Sequence, residues 1–184
     1  APAVRVALGE MFNLPSCDLT TGKMVAAMRI LGFQKVFDTA FSADLTVVEE
    51  ANEFIARKSR GEKLPIFTSC CPAWVKYAEQ SYPQLLENLS SCRSPQQMFG
   101  SIAKERLPKQ LNVEKEKLFV VSIMPCTAKK YECKRPEFVH DGIADVDVVI
   151  TTQELGKMIK EAGIDIASLE PESMDLPMGF ATGA

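Results

Sequence analysis

Two short apolar runs, each followed by a cysteine-bearing loop, constrain this chain more than any other feature. Leu64–Phe67 leads into Thr68-Ser69-Cys70-Cys71-Pro72-Ala73-Trp74, and Leu118–Ile123 leads into Met124-Pro125-Cys126-Thr127-Ala128-Lys129-Lys130. Continuous apolar runs of this length are typical of buried β-strands. Ligands collect at the carboxyl ends of strands in open α/β sheets. The sequence therefore predicts that the two thiol-bearing loops share one soft-metal site.

Strand-like and helix-like segments alternate along the rest of the chain. Helices are predicted for Thr20–Leu31, Ala43–Arg60, a segment opening at Pro72, Ser94–Leu107 and Thr152–Ala162, and further strands for Val36–Phe37 and Val146–Ile150. Glycines 32, 61 and 163 follow three of the helices as stop signals, and Pro72 suits a first helical turn. Alternation of this kind predicts an α/β fold with a mostly parallel sheet covered on both faces.

Composition limits the class of protein. The chain has 184 residues, 46% of them hydrophobic, and a net charge of −3, which suits one globular domain and disfavours nucleic acid as a partner. Its apolar runs are strand-sized, so no membrane span is expected, and no signal peptide is visible. Because the chain opens without methionine and stops just after a glycine, we expect residues 1–184 to form a single partial domain of a longer protein.

The six cysteines fit free thiols or a metal site better than disulfide staples, because the chain is large enough to have a core. Side chains of adjacent residues on an extended backbone point to opposite sides. One of Cys70 and Cys71 is therefore free for a different task, such as carrying a proton. Iron–sulfur is the favoured metal chemistry, and burial of both thiols as small apolar groups is the alternative. We expect three cysteines to serve in packing and one histidine to lie at the surface: Cys17, Cys92, Cys133 and His140.

These motifs resemble the first two signature motifs of the [FeFe] hydrogenase catalytic domain. The resemblance extends to Ala1-Pro2-Ala3-Val4-Arg5, Phe41–Leu45, Ser94–Gly100 and Asp145-Val146-Asp147. It implies a two-lobed domain around the cluster, of which this chain forms the first lobe and part of the second. It also implies reversible reduction of protons to dihydrogen at an H-cluster, a [4Fe–4S] cubane joined to a diiron unit with CO, cyanide and a bridging dithiolate.

The resemblance assigns roles residue by residue. By position, Cys71 and Cys126 resemble two of the four cubane ligands, and Cys70 resembles the thiol that first receives the proton. Lys129 resembles the residue that donates to a cyanide ligand, and Met124 the methionine near the bridging carbonyl. The segment lining the diiron pocket is matched by Ala1, Pro2 and Gln96.

A proton route is implied as well. Glu50, Glu53 and Arg57 lie three and four residues apart on one predicted helix, so they share a face. Without the resemblance, Glu53 and Arg57 would be interpreted as an exposed ion pair. With it, the expected order is Cys70, a water molecule, Glu50, Ser90, Glu53 and Arg57 near the surface.

The third motif of the family, which supplies two further cysteines, is absent, so we expect this chain to be inactive alone. The expected partners are ferredoxin or a similar electron carrier and the maturation proteins of the diiron unit, and the expected location is the cytoplasm rather than the periplasm.

Three alternatives stay open. A non-catalytic iron–sulfur scaffold of the hydrogenase-like type would be expected to lack the thiol at position 70, and a hydrogen sensor would be expected to depart there or along the proton route. An unrelated α/β enzyme would need both motifs to arise by chance.

Overall fold

A computed structural model describes residues 1–15 and 21–176. Seven α-helices lie in these ranges: α1 Pro2–Ala7, α2 Thr21–Ile30, α3 Ala40–Arg60, α4 Pro72–Ser81, α5 Pro95–Leu111, α6 Ala128–Glu132 and α7 Thr152–Glu161. Four short strands accompany them: β1 Val121–Met124, β2 Val139–His140, β3 Ile143–Ala144 and β4 Val148–Thr151. Short 3₁₀-helices lie at Gly9–Phe12, Pro83–Asn88, Lys115–Lys117, Pro136–Phe138 and Ile166–Ser168.

The parallel sheet expected from the sequence is present. Strands β1 and β4 pair in parallel, with Ile123 opposite Ile150 and Met124 opposite Thr151. Strands β2 and β3 form a small antiparallel hairpin. The α/β fold class is therefore confirmed, although the described ladders contain few residues.

The two faces of the β1–β4 pair contact different cores. Ile123 and Ile150 pack against a large cluster from α1, α2, α7 and the segments beside them: Val4, Leu8, Met24, Val25, Ala27, Met28, Val36, Leu155, Ile159 and Ile166. The next residues in register, Met124 and Val149, point the other way and pack with Cys133 and Val146. Alternation along β1 therefore separates a purely structural face from the face that carries Met124.

The long helices begin and end close to the predicted positions. Helix α3 ends at Gly61, whose φ of 67° is the left-handed conformation that glycine adopts readily. Helix α5 is capped by Ser94, whose side chain accepts from the backbone N–H of Gln97, and it continues through Pro108 beyond the predicted end at Leu107. Helix α7 is capped by Thr151, one residue before the predicted cap, in a reciprocal capping box with Glu154.

Two predicted strands are wrong. The backbone N–H of Val36 donates to the Asp175 carboxylate, and the N–H of Asp175 donates to the Val36 carbonyl. Leu64–Phe67 makes only one bridge, between Phe67 and Leu89. In each case the partner is an isolated segment far along the chain, and Pro65 has no N–H to offer a ladder.

The predicted strands Leu118–Ile123 and Val146–Ile150 are shifted toward their carboxyl ends. Side chains occupy the earlier backbone groups: Lys104 donates to the Leu118 carbonyl at 2.6 Å, and the Asp147 carboxylate accepts from the Val120 N–H at 2.6 Å. None of the helices within residues 1–15 and 21–176 combines the length and hydropathy needed to cross a bilayer.

The close approach of α5 to the strand region generates a prediction for Gly100. A methyl group there would lie 2.6 Å from the carbonyl oxygen of Asp145 and 2.6 Å from Val146 Cγ2. Gly100→Ala should destabilise the fold by about 1–3 kcal/mol despite the better helix propensity of alanine, measured by urea unfolding. Ser101→Ala on the same helix is the control, expected within about 0.5 kcal/mol of wild type. Equal stabilities for the two variants would contradict this packing.

Candidate metal and proton-transfer site

The two cysteine loops meet through one lysine. Cys70 and Cys71 lie immediately before α4, and Cys126 lies between β1 and α6. From the first turn of α6, Lys129 Nζ donates to the carbonyl oxygen of Cys70 at 2.7 Å. The two motifs therefore lie in one region of the structure, and the shared metal site stays a prediction.

The thiols in these loops differ in exposure. Cys71 is exposed, whereas Cys70 and Cys126 are half-buried. Cys71 has an extended backbone, with φ −97° and ψ 107°, and Pro72 follows it in the first turn of α4. The described cysteines are free, as expected for thiols available to a metal or a proton.

A buried carboxylate that the sequence analysis missed holds the lysine. Glu132 is 4% exposed, and its two oxygens accept from Lys129 Nζ at 3.2 and 3.0 Å. The same carboxylate accepts from Ser94 Oγ at 2.9 Å and from Gln96 Nε2 at 3.0 Å. A buried charge requires this kind of pairing and hydrogen bonding. The only local signal was the spacing of three residues between Lys129 and Glu132 on a short helix.

Three other residues of the predicted pocket, Ala1, Gln96 and Met124, lie on or beside β1. Ser122 Oγ donates to Gln96 Oε1 at 2.8 Å, and Met124 is 6% exposed. The backbone nitrogen of Ala1 donates to the Ile123 carbonyl at 3.1 Å. Pro2 opens α1 and is exposed.

A cavity of about 460 Å³ adjoins this part of the molecule and is lined in part by Ala1, Gln96 and Met124. Cys70, Cys126 and Lys129 do not line it. The predicted cofactor-binding residues therefore divide between this cavity and the cysteine loops.

The predicted proton route is partly assembled. Ser90 Oγ donates to Glu53 Oε2 at 2.8 Å, and Arg57 Nη2 donates to Glu53 Oε1 at 2.6 Å. Arg57 also donates to the carbonyl oxygens of Glu87 and Leu89, at 3.1 and 2.7 Å. Since both side chains of the Glu53–Arg57 pair are mostly buried, at 16% and 14% exposure, the alternative of an exposed surface pair does not hold.

The two glutamates of the route differ sharply. Partial desolvation opposes ionisation of Glu53, but hydrogen bonds from Ser90, from the Ser91 backbone and from Arg57, with the charge of Arg57, lower its pKa overall. Glu50 Oε1 is buried and has no hydrogen-bond partner among the residues that the structure describes. Of the two glutamates on the predicted proton route, Glu50 is therefore the one with an unsatisfied buried oxygen.

The expectations for the other cysteines divide. Cys133 is buried in the smaller core, as predicted. Cys92 is half-buried, and its thiol also lies 3.8 Å from Glu53 Oε2. Cys17 lies outside the described residues. His140 lies at the surface, 3.1 Å from Arg93 Nη2.

Comparison with known proteins identifies the family. The model of the iron only hydrogenase large subunit, C-terminal domain, matches residues 1–184. The chain belongs to this family. It is 54% identical to the NADP-reducing hydrogenase subunit HndD of Solidesulfovibrio fructosivorans, over 100% of the chain and 32% of HndD. A variant of the apo [FeFe]-hydrogenase HydA1 from Chlamydomonas reinhardtii superposes with a TM-score of 0.92 at 43% identity, over 97% of the chain and 46% of HydA1.

A second group of relatives carries names that describe iron–sulfur assembly. The chain is 38% identical to the cytosolic iron-sulfur assembly component 3 of Bos taurus, over 95% of the chain and 38% of that protein. The named hydrogenases are more similar, and the chain spans less than half of each of these relatives.

The candidate donors match only part of the ligand set of the cluster that this hydrogenase family implies. Thiolates are the ligands of iron–sulfur clusters, and a [4Fe–4S] cubane takes four. The two candidate ligands Cys71 and Cys126 are of the right chemical type, and Lys129 places their loops together. Within residues 1–15 and 21–176, no group of three or more His, Cys, Asp or Glu side chains is arranged to hold a metal ion. The described residues thus fit part of the ligand set.

The buried Lys129–Glu132 pair predicts a large effect of removing one partner. Glu132→Ala leaves the ammonium and the Ser94 and Gln96 donors without their acceptor, and it should destabilise the chain by roughly 3–5 kcal/mol in urea unfolding. Glu161→Ala is the matched control, because Glu161 and its partner Lys157 are exposed, and it should be nearly neutral. Similar losses in both variants would refute a special role for Glu132.

The lowered pKa of Glu53 predicts how acid changes the stability of the fold. Its pKa is lower in the folded chain than its ordinary value, so its ionised form stabilises the fold above the unfolded pKa, about 4.3. That contribution is lost as the pH falls through the lower folded value. Glu53→Gln should therefore be less stable at pH 7 and lose less further stability on acidification. Glu62→Gln, at an exposed carboxylate, should follow the wild-type curve, and a wild-type curve for Glu53→Gln would disprove the assignment.

Proposed function

We propose that this chain is part of an iron hydrogenase that reversibly converts two protons and two electrons to dihydrogen. Cys71 and Cys126 would supply two thiolate ligands of a [4Fe–4S] cluster, with the other two outside this chain. The cluster and its diiron unit, with CO, cyanide and a bridging dithiolate, supply the redox chemistry when bound. The single observation that carries the proposal is the Lys129–Cys70 hydrogen bond, which brings both signature loops together.

The residues around these loops suit such a group. An ammonium is a compact charged donor, and Lys129 is held by Glu132 at the Cys70 loop, where we propose that it donates to a cyanide ligand. Met124 offers a buried, polarisable thioether on the same face of β1 as Ser122, which binds Gln96. Ala1 and Pro2 complete the proposed pocket from α1.

The proton path is proposed to run from Cys70 through a water molecule to Glu50, Ser90, Glu53 and Arg57. Its outer half is supported by the hydrogen bonds that join Ser90, Glu53 and Arg57. Its inner half is supported by the buried, unpartnered Oε1 of Glu50, since a buried polar atom of this kind calls for a bridging water.

Electrons are proposed to come from ferredoxin or a similar carrier, and assembly of the diiron unit to need maturation proteins. A cytoplasmic location is proposed as well, and cell fractionation with an antibody to the chain checks it.

A chimera tests the function directly. Residues 1–184 replace the matching segment of HydA1, and hydrogen evolution and iron content are measured after maturation. Cys70→Ala should keep the iron and lose about 10²–10⁴-fold in turnover, the size of a general acid–base contribution. Cys71→Ala should lose iron, whereas Cys133→Ala, a buried thiol outside the motifs, should change neither quantity.

The control outcomes separate the alternatives. The isolated chain should evolve no hydrogen, because it offers only part of the ligand set. A chimera that binds iron but evolves no hydrogen would contradict the proposal and favour a scaffold role, as in the assembly component relatives. Normal turnover of an iron-replete Cys70→Ala chimera would overturn only the proposed role of Cys70 and leave the hydrogenase proposal standing.

A further inference from the structure

Cys92 contacts two members of the proposed proton route and the residue that precedes Cys70, with three different groups. Its N–H donates to Ser90 Oγ at 3.1 Å, and its carbonyl accepts from Ser69 Oγ at 2.6 Å. Its thiol lies 3.8 Å from Glu53 Oε2, within donating distance for sulfur. Ser69 directly precedes Cys70, so Cys92 connects the Cys70 loop with the Ser90–Glu53 pair.

The backbone contact orients the Ser90 hydroxyl. A serine hydroxyl has one hydrogen to donate and two lone pairs to accept. The hydrogen is given to Glu53 Oε2, and one lone pair accepts from the Cys92 N–H. One lone pair is then left for a further donor, and in this geometry the hydroxyl hydrogen points toward Glu53.

The Cys92 thiol can donate a hydrogen bond as a neutral, protonated group. Burial raises the pKa of Cys92, and the negative charges of Glu53, Glu50 and Glu49 raise it further against the opposing effect of Ser90. A protonated thiol beside the Glu53 carboxylate has its hydrogen available for Oε2. The charged group facing Glu53 is Arg57 on its own helix. The charges acting on the Cys92 thiol are those of Glu53, Glu50 and Glu49.

We propose that Cys92 is a positioning residue of the proton route, whose backbone orients Ser90 and the Ser69–Cys70 loop and whose thiol donates to Glu53. This inference rests on the proposed function for its effect on turnover, but the contact itself is independent of any cofactor. The competing view is that Cys92 only fills space beside α3.

The first measurement follows the Glu53 carboxyl by ¹³C NMR in the 184-residue chain. Removing a weak neutral donor in Cys92→Ala should raise the pH at which Glu53 titrates, by roughly half a unit. Cys92→Ser retains a donor and should restore the wild-type value, and Cys133→Ala should not change it. If Cys92→Ala does not fold, Cys92→Val keeps the volume without the donor and takes its place. An unchanged Glu53 titration in a folded variant would overturn the proposal.

The second measurement is the pH profile of hydrogen evolution in the chimera. In the Cys92→Ala variant, the acid limb of the profile should move to higher pH, as the Glu53 titration does, while the iron content stays unchanged. Cys92→Ser should restore the wild-type profile. A shifted Glu53 titration with an unmoved profile would overturn the role in the route and leave the proposed function standing. An inactive wild-type chimera would remove the proposed function, and the NMR titration would still decide whether Cys92 holds Glu53.

Discussion

The geometry of the site depends on one interaction, the hydrogen bond from the Lys129 ammonium to the Cys70 carbonyl. The Cys70 loop and the Cys126 loop belong to different elements, and no strand pairing joins them within residues 1–15 and 21–176. A charged group that reaches the Cys70 carbonyl from α6 supplies the connection. It is tolerated in a mostly buried place because Glu132 balances its charge, and Ser94 and Gln96 satisfy the remaining carboxylate lone pairs. Burying the Lys129–Glu132 pair costs free energy, but the buried pair holds the two loops in one relative position.

The β1–β4 pair provides the platform for this arrangement. Parallel strands end on the same side, so Met124 and Thr151 lie together at the carboxyl edge where the Cys126 loop begins. The pleat divides the neighbours of β1: Ile123 faces the large core, whereas Ser122 and Met124 face the side of α5 and α6. A shift of one residue in register would exchange these faces and remove Met124 and Ser122 from the site.

The sequence allowed prediction of the features that are encoded locally. Gly61 and Ser94 mark helix ends through backbone conformation and capping, and the cysteine motifs mark loops after apolar runs. The wrong strands share a different cause, since Val36 is paired by Asp175, far along the chain. Glu132 and Cys92 were missed for the same reason: neither belongs to a motif, and each acts through contacts to residues brought near only by the fold. Side chains that satisfy distant polar groups have no periodic signal, so local patterns do not predict them.

The two glutamates on α3 differ in a way that bears on how a proton could move. Glu53 accepts from Ser90, from the Ser91 N–H at 3.2 and 3.0 Å and from Arg57, and these donors hold it ionised. Glu50 lies one turn earlier with a buried oxygen that no described residue satisfies. A chain of donors that is rigid at its surface end and loose at its inner end can reorganise only at the inner end. Ser90 is oriented toward Glu53 by its neighbours, so in the proposed route the variable steps are those that involve Glu50.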